Sequence, residues 1–166
     1  MIYGVVSCYD GAIKVYPQYN VSGSHGKGPV DWAIKIDETI IAITEAKRED
    51  LNQGVGQNIV QLQASSQRNP KKRTYDSALR EDVMFGIVTT GVEWVIIKLV
   101  SNGSNNNNDN VRVLLSSRSP FSLPINEVPL QRERLKERLD DLFGQLVWAF
   151  DQQIESQNQT KRQRIV

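Results

Sequence analysis

Residues 28–66 read GPVDWAIKIDETIIAITEAKREDLNQGVGQNIVQLQASS. The stretch opens on an alternating run from Asp31 to Ile36 and continues as a dense apolar run from Ile40 to Ala46. The first pattern predicts a half-buried strand, and the second predicts a central strand covered on both faces. Lys47-Arg48-Glu49-Asp50 ends the apolar run, with Glu49 or Asp50 available to cap a helix. From Leu51 to about Gln67 the apolar residues fall at Leu51, Val55, Ile59 and Leu62, which is a helical stripe. Gly54 and Gly56 interrupt it, each at a cost of about 1 kcal/mol in helix propensity. Glycine at such positions lets a helix approach a sheet closely. Strand, strand and helix in this order form the centre from which the rest of the chain is read.

Upstream, residues 2–7 and 12–16 are β-branched or aromatic and are split by Asp10-Gly11, which predicts a hairpin. Residues 17–29, PQYNVSGSHGKGP, predict a loop. Downstream, residues 68–77 form a basic loop, RNPKKRTYDS. Phe85 to Thr90 and Trp94 to Val100 predict two strands joined by a tight turn at Gly91. Residues 101–110 are Asn-rich and of low complexity, Val111 to Leu115 predict a further strand, and residues 116–129 read as a loop. A long amphipathic helix is expected from about Gln131 to Gln157. Its stripe is Leu135, Leu139, Leu142, Leu146, Phe150 and Ile154, widened by Phe143 and Val147. The expected fold class is α/β, a mixed central sheet flanked by helices. A single domain is expected over residues 1–157, followed by a polar basic tail over 158–166.

A chain of 166 residues suits one domain with a proper core. At 39% hydrophobic and 23% charged residues it has the make-up of an ordinary soluble domain. A net charge of +1 does not announce nucleic acid, because the placement of charge decides that. A lone Cys8 excludes an internal disulfide and a cysteine-cluster zinc site, and a lone His25 argues against histidine-based metal binding. No apolar run reaches the length of about 18 residues that a membrane span needs. The N-terminus, MIYGVVSCYD, shows no secretory signal, and with a free thiol this favours a reducing, intracellular compartment.

Candidate chemistry lies in the hairpin. If Asp37, Glu38 and Thr39 form the loop, Ile36 pairs with Ile40 and Asp31 stands directly opposite Glu45 on one face. Lys47 shares that face. A two-residue loop instead sets Asp31 beside Thr44 and turns it away from Glu45, unless a bulge restores the register. Two carboxylates this close repel, and a divalent cation removes that cost. Oxygen ligands suit Mg²⁺ or Mn²⁺, with the carbonyl of Ala46 as a third ligand beside Asp31 and Glu45. Lys47 is then placed to orient a water and offset transition-state charge, and Gln57 on the following helix to reach the water or a phosphate. The plain alternative is a solvated strand rim, with Gln53, Gln57 and Gln61 as the wet face of the helix.

These residues resemble the PD-(D/E)XK nuclease superfamily, whose restriction-endonuclease-like core carries an acid on one strand, E-x-K on the next and a helix after it. More narrowly, D-W-A-I at 31–34, T-E-A-K-R-E-D-L-N-Q-G-V-G-Q-N-I-V-Q-L at 44–62 and F-G-I-V-T-T-G-V-E-W-V at 85–95 are similar to nuclease-like domains of Crinkler-type effector proteins of fungi and oomycetes. The resemblance implies that Asp31 and Glu45 bind metal, that Lys47 is catalytic and that Gln57 supports it. It also implies an intracellular site of action, with a host nucleus as candidate. The chain departs from the pattern in having Val30 between Pro29 and Asp31, and in lacking an expected early helix with a glutamate.

Lys71, Lys72 and Arg73 are candidate phosphate contacts, with a solvated loop as the equal alternative. Lys161, Arg162 and Arg164 fit nuclear import, although such runs are common. Trp32, Trp94 and Trp148 are expected in core or edge packing. The leading functional expectation is a metal-dependent nuclease, with DNA favoured over RNA. The alternatives are a catalytically inactive nucleic-acid or protein interaction module and an unrelated protein-binding α/β domain. Dimerisation through part of the C-terminal helix is an open alternative to its burial on the sheet.

Overall fold

The computed structural model describes residues 1–23, 26–48, 50–68, 81–102 and 111–162. Within them lie three α-helices, α1 (Ile2–Val6), α2 (Leu51–Arg68) and α3 (Arg132–Arg162). The strands are β1 (Ile13–Ser22), β2 (Lys27–Ile36), β3 (Thr39–Ala46), β4 (Glu81–Thr89), β5 (Glu93–Asn102), β6 (Val111–Leu115) and β7 (Phe121–Ser122). They form one sheet in the order β1-β2-β3-β4-β5-β6, with β7 also on β5. The sheet is mixed, because β3 and β4 pair in parallel while their neighbours pair antiparallel. Parallel pairing requires a crossover, and the described part of that crossover is α2.

Each face of the sheet has its own helix. On one side Ile40, Ile43, Met84, Val88, Val95, Ile97 and Leu99 are buried with Leu51 and Leu62 of α2. On the other, Ile41, Ala42, Phe85, Ile87, Trp94 and Ile96 are buried with Leu142, Leu146 and Phe150 of α3. The apolar stripe of α3 is thus spent on the sheet, and the helix runs to Arg162 rather than ending near Gln157. Trp94 is buried and Trp32 half-buried, whereas Trp148 is exposed and meets Phe85 edge-on with ring centroids 5.9 Å apart.

Two expectations are corrected near the N-terminus. Residues 2–7 are not a strand: α1 is followed by one turn of 3-10 helix, Ser7–Tyr9. Ile2, Val5, Val6 and Tyr9 fall at helical spacing and pack on the α3-side core, which overrides their β-branched composition. Asp10 and Gly11 are left-handed, with φ of 46° and 78°, but they join this turn to β1 rather than closing a hairpin. Residues 17–29 are not mainly loop either, since β1 and β2 form a long hairpin that pairs Tyr19 with Val30 and Ser22 with Lys27. Pro17 is tolerated because β1 is an edge strand. Pro29 lies beyond Trp32, the last β2 residue paired with β3.

Tyr9 ties the N-terminal turn to α3. Its hydroxyl donates to Asp151 Oδ1 at 2.9 Å and lies 3.2 Å from the Val147 carbonyl oxygen. Burial, and then the Asp151 carboxylate, push the phenol's pKa well above its ordinary value near 10. The folded protein therefore keeps a proton that the unfolded chain releases above about pH 10. This contribution is complete below that pH and is lost as the pH climbs through the folded value. We expect Tyr9→Phe to show a shallower loss of stability above about pH 10 than the parent protein, measured by urea denaturation across pH. Identical alkaline slopes would refute the assignment.

The α2 helix sits unusually close to the sheet. A Cβ built on Gly86 of β4 would overlap Asn58 Oδ1 and lie 2.8 Å from Leu62 Cδ1. A Cβ on Gly54 of α2 would lie 2.7 Å from Val88 Cγ1 and 2.8 Å from Lys47 Cγ. Gly56, by contrast, faces open space. We expect Gly86→Ala to destabilise the fold by about 1–3 kcal/mol through overpacking. We expect Gly56→Ala to stabilise it by about 1 kcal/mol through helix propensity alone. Chemical denaturation measures both, and shifts of the same sign would overturn this picture of the helix seat.

Candidate active site

The site depends on the register of the β2–β3 hairpin. The loop has two residues, Asp37 and Glu38, since Ile36 pairs with Thr39 and Lys35 with Ile40. Asp37 takes a left-handed φ of 49°, as tight loops of this length require. A three-residue loop is therefore not what forms. Between Ile34 and Lys35 the register shifts, so that Ile34 pairs with Ala42, Ala33 with Ile43 and Trp32 with Thr44. The extra residue on β3 is Ile41, and this bulge has the same effect as the longer loop. Continuing the register sets Asp31 opposite Glu45.

Asp31 and Glu45 meet through the strand end. Asp31 Oδ2 accepts the backbone N–H of Ala46 at 2.6 Å. Glu45 is 5% exposed, an unusual degree of burial for a carboxylate, and burial at that level calls for partners. It has two of them. Lys47 Nζ lies 2.9 Å from Oε1, and Gln61 Nε2 donates to Oε2 at 3.3 Å. Lys47 Nζ also donates to Gln57 Oε1 at 2.8 Å, so one ammonium joins the strand to the helix. The same Gln61 amide donates to the carbonyl of Pro29 at 3.3 Å, tying β2 into the cluster.

The backbone that holds these groups is itself fixed. Lys47 N–H donates to the Thr89 carbonyl at 2.8 Å and extends the parallel ladder past Ala46. Asp50 begins the helix, as its Oδ1 accepts the N–H of Gln53 at 2.9 Å. Gly54 leaves room for the Lys47 stem, which explains a glycine in this helical turn.

The structure brings Asp31, Glu45, Ala46, Lys47 and Gln57 together at the carboxyl end of β3. Gln53 and Gln57 are exposed, as expected of a wet helix face, but Gln61 is not: it is 8% exposed and bonded to Glu45. Its signal in the sequence is the series Gly54, Asn58, Gln61, Ser65, a stripe of small and polar residues beside the apolar one. All four are buried and face the sheet. Lys71, Lys72, Arg73 and His25 lie outside the described residues. The structure does begin with a helix, but IYGVV carries no acid to add to the site.

Among the described residues no three His, Cys, Asp or Glu side chains cluster as a metal centre. The oxygens that could hold a cation here are those of Asp31, Glu45 and the Ala46 carbonyl. Their chemistry suits a hard divalent ion, because all three donors are oxygens and two carboxylates outweigh one ammonium. Each Glu45 oxygen has a second lone pair beyond the one that Lys47 or Gln61 occupies.

Comparison with known proteins gives one informative likeness. Over 83 residues, 49% of its length, the chain is 35% identical to Crinkler effector protein 1 of the fungus Rhizophagus irregularis. The relationship is Crinkler-like. The matched stretch accounts for 18% of that protein's length. No family model matches the chain, and no solved structure matches it.

The Glu45–Lys47 pair gives a stability test independent of function. Lys47→Met leaves a buried carboxylate short of its charged partner, and we expect a loss of about 1–3 kcal/mol. Adding Glu45→Gln should recover part of that loss, giving a coupling of at least about 0.5 kcal/mol in a double-mutant cycle. Strict additivity would show that the two groups do not interact in solution.

Proposed function

We propose that this chain is a metal-dependent nuclease domain with a restriction-endonuclease-like core, serving as an effector-type domain that hydrolyses phosphodiester bonds, with DNA as its substrate. The observation that carries the reading is the single ammonium of Lys47, shared between the buried Glu45 and Gln57 of α2, beside Asp31 on the facing strand. An acid on one strand, E-x-K on the next and a helical glutamine is the residue order of the PD-(D/E)XK pattern. The likeness to a Crinkler effector supports the effector part of the reading. An intracellular site of action is part of the same proposal.

Asp31, Glu45 and the Ala46 carbonyl would hold Mg²⁺ or Mn²⁺. When bound, such an ion supplies Lewis acidity toward a phosphoryl oxygen and toward water. The chain's own residues do the rest. Lys47 would present its remaining N–H to a non-bridging phosphoryl oxygen, where negative charge accumulates as water attacks phosphorus. Gln57 fixes the direction of that ammonium from the side facing solvent. Gln61 holds Glu45 from the buried side, so the carboxylate meets the substrate in one orientation. Fixing these groups in advance is worth more than their mere presence.

The test is cleavage of plasmid and single-stranded DNA under Mg²⁺ or Mn²⁺ titration. Asp31→Ala, Glu45→Ala and Lys47→Ala should each lower the rate by on the order of 10²-fold or more with the fold retained by circular dichroism. Gln61→Leu should lower it less, since that residue acts through Glu45. Full activity in the three variants would sink the reading. Nucleic-acid binding without turnover under either ion would favour the inactive interaction module instead.

A further inference from the structure

Round the same end of the sheet from Lys47 lies a cleft of about 840 Å³ that the candidate chemistry does not use. Arg48 enters it from the end of β3, and Arg134 and Arg138 enter it from the first turns of α3. Thr90, Glu93 and Glu127 complete its polar wall, over a floor that includes the buried Leu123. These residues are far apart in sequence: the carboxyl ends of the parallel strands bring Arg48 and Thr90, and the start of α3 brings Arg134 and Arg138. Ala46 pairs with Thr89, the Lys47 N–H bonds to the Thr89 carbonyl, and Arg48 and Thr90 follow just beyond the two strand ends. In open α/β sheets, ligands bind outside the carboxyl ends of strands.

Two of the three guanidinium groups are held by contacts. Arg138 stacks over the Phe121 ring with its central carbon 3.9 Å from the centroid, and reaches toward the Ser122 carbonyl at 3.5 Å. Arg134 is paired with Glu127 at 2.9 Å, which uses up one of the two acids in the wall. Arg48, exposed beside Lys47, and Arg138 therefore face Glu93 with cationic charge in excess. Planar guanidinium groups fixed by stacking are suited to bidentate recognition of phosphate. Lys47 reaches Glu45 and Gln57 on the α2 side, while Arg48, in the bend that follows β3, lines the cleft with the first turns of α3. A nucleic-acid strand crossing the end of β3 meets both, since the two residues are consecutive.

We infer that the Arg48–Arg134–Arg138 cleft binds the phosphodiester backbone of a nucleic-acid strand next to the bond presented to Asp31, Glu45 and Lys47, an inference that takes from the nuclease reading only that the ligand is a polynucleotide. The cleft contacts phosphates and not bases, so it positions the strand without reading its sequence. It has room for more than one phosphate, since a strand carries one roughly every 3.4 Å along the helix axis.

The experiment is fluorescence anisotropy of a labelled 20-nucleotide DNA, single-stranded and duplex, without divalent metal and across a series of salt concentrations. Arg48→Ala and Arg138→Ala should each weaken binding about tenfold and reduce the salt slope by about one. Lys14→Ala on the outer strand β1 should change neither. Arg48 is exposed, so its variant keeps the test valid if loss of the Arg138 stack on Phe121 disturbs folding. Parent-like affinity and slope in the arginine variants would overturn the cleft and leave the nuclease reading intact. Loss of binding in those variants, with no cleavage by the parent protein under any divalent metal, would retain the cleft and remove the nuclease. Absence of DNA binding by the parent protein overturns the cleft as assigned, whatever the cleavage assay gives.

Discussion

A β-strand sends successive side chains to opposite faces, so a slip of one residue in a hairpin exchanges everything on one face for everything on the other. The β2–β3 hairpin closes with a two-residue loop, and continued without interruption that register sets Asp31 beside Thr44. Thr44 belongs to the face opposite Glu45. The extra residue at Ile41 reverses the outcome. With it, Trp32 meets Thr44 and Asp31 reaches the Ala46 amide. The bulge also sends Ile40 to the α2 side and Ile41 to the α3 side without breaking either core. One inserted residue thus satisfies two demands, a continuous hydrophobic core on each face and two acids on the same one.

The helix that covers those acids is held by unusual means. Most helices seat on a sheet through a broad apolar stripe. Here the residues nearest the sheet are Gly54, Asn58, Gln61, Leu62 and Ser65, while Val55 and Ile59 sit at the flank, half-buried. Glycine on both partners, Gly54 and Gly86, removes the side chains that would hold the helix off. The consequence is electrostatic. Close approach strips water from Glu45, puts the Gln57 side-chain carbonyl where it accepts from Lys47, and puts the Gln61 amide where it donates to that carboxylate. A larger residue at either glycine would widen the gap and replace fixed dipoles with solvent. Fixed dipoles cost no reorganisation when charge develops, whereas water does.

The sequence discloses the hairpin, the buried β3, the α2 crossover, β4, β5 and α3, because each carries a strong period of two or of 3.6 over enough residues. It conceals what depends on contacts distant in the chain. Ile2, Val5, Val6 and Tyr9 look like strand by composition, and only their docking against α3 makes a helix of them. Pro17 and the glycines at 23, 26 and 28 look like loop, yet pairing across the hairpin carries the strands through most of that stretch. Asp31, Glu45, Lys47 and Gln57 are legible as a group because one hairpin and one helix bring them together within 27 residues. Gln61 is hidden because a glutamine on a helix is normally wet, and its partner is a carboxylate that sequence does not mark as buried. The arginines are hidden further, since Arg48 and Arg138 have no local relation and meet only at the end of a folded sheet.

That placement bears on the meaning of a net charge of +1. Averaged over the chain, the charges nearly cancel. At the carboxyl end of β3 they are uneven: Asp31 and Glu45 outnumber Lys47 on the α2 side, and Arg48, Arg134 and Arg138 outnumber Glu93 and Glu127 in the cleft toward α3. A polyanion is drawn to the second group and repelled by the first unless a cation is present. If both proposals hold, strand binding and reaction fall to different elements, α3 and the β2–β3–α2 unit, joined through the consecutive residues Lys47 and Arg48. Under the nuclease proposal, loss of the acids or of Lys47 would remove turnover and leave the arginine cleft in place, so binding without turnover lies a short step from binding with turnover.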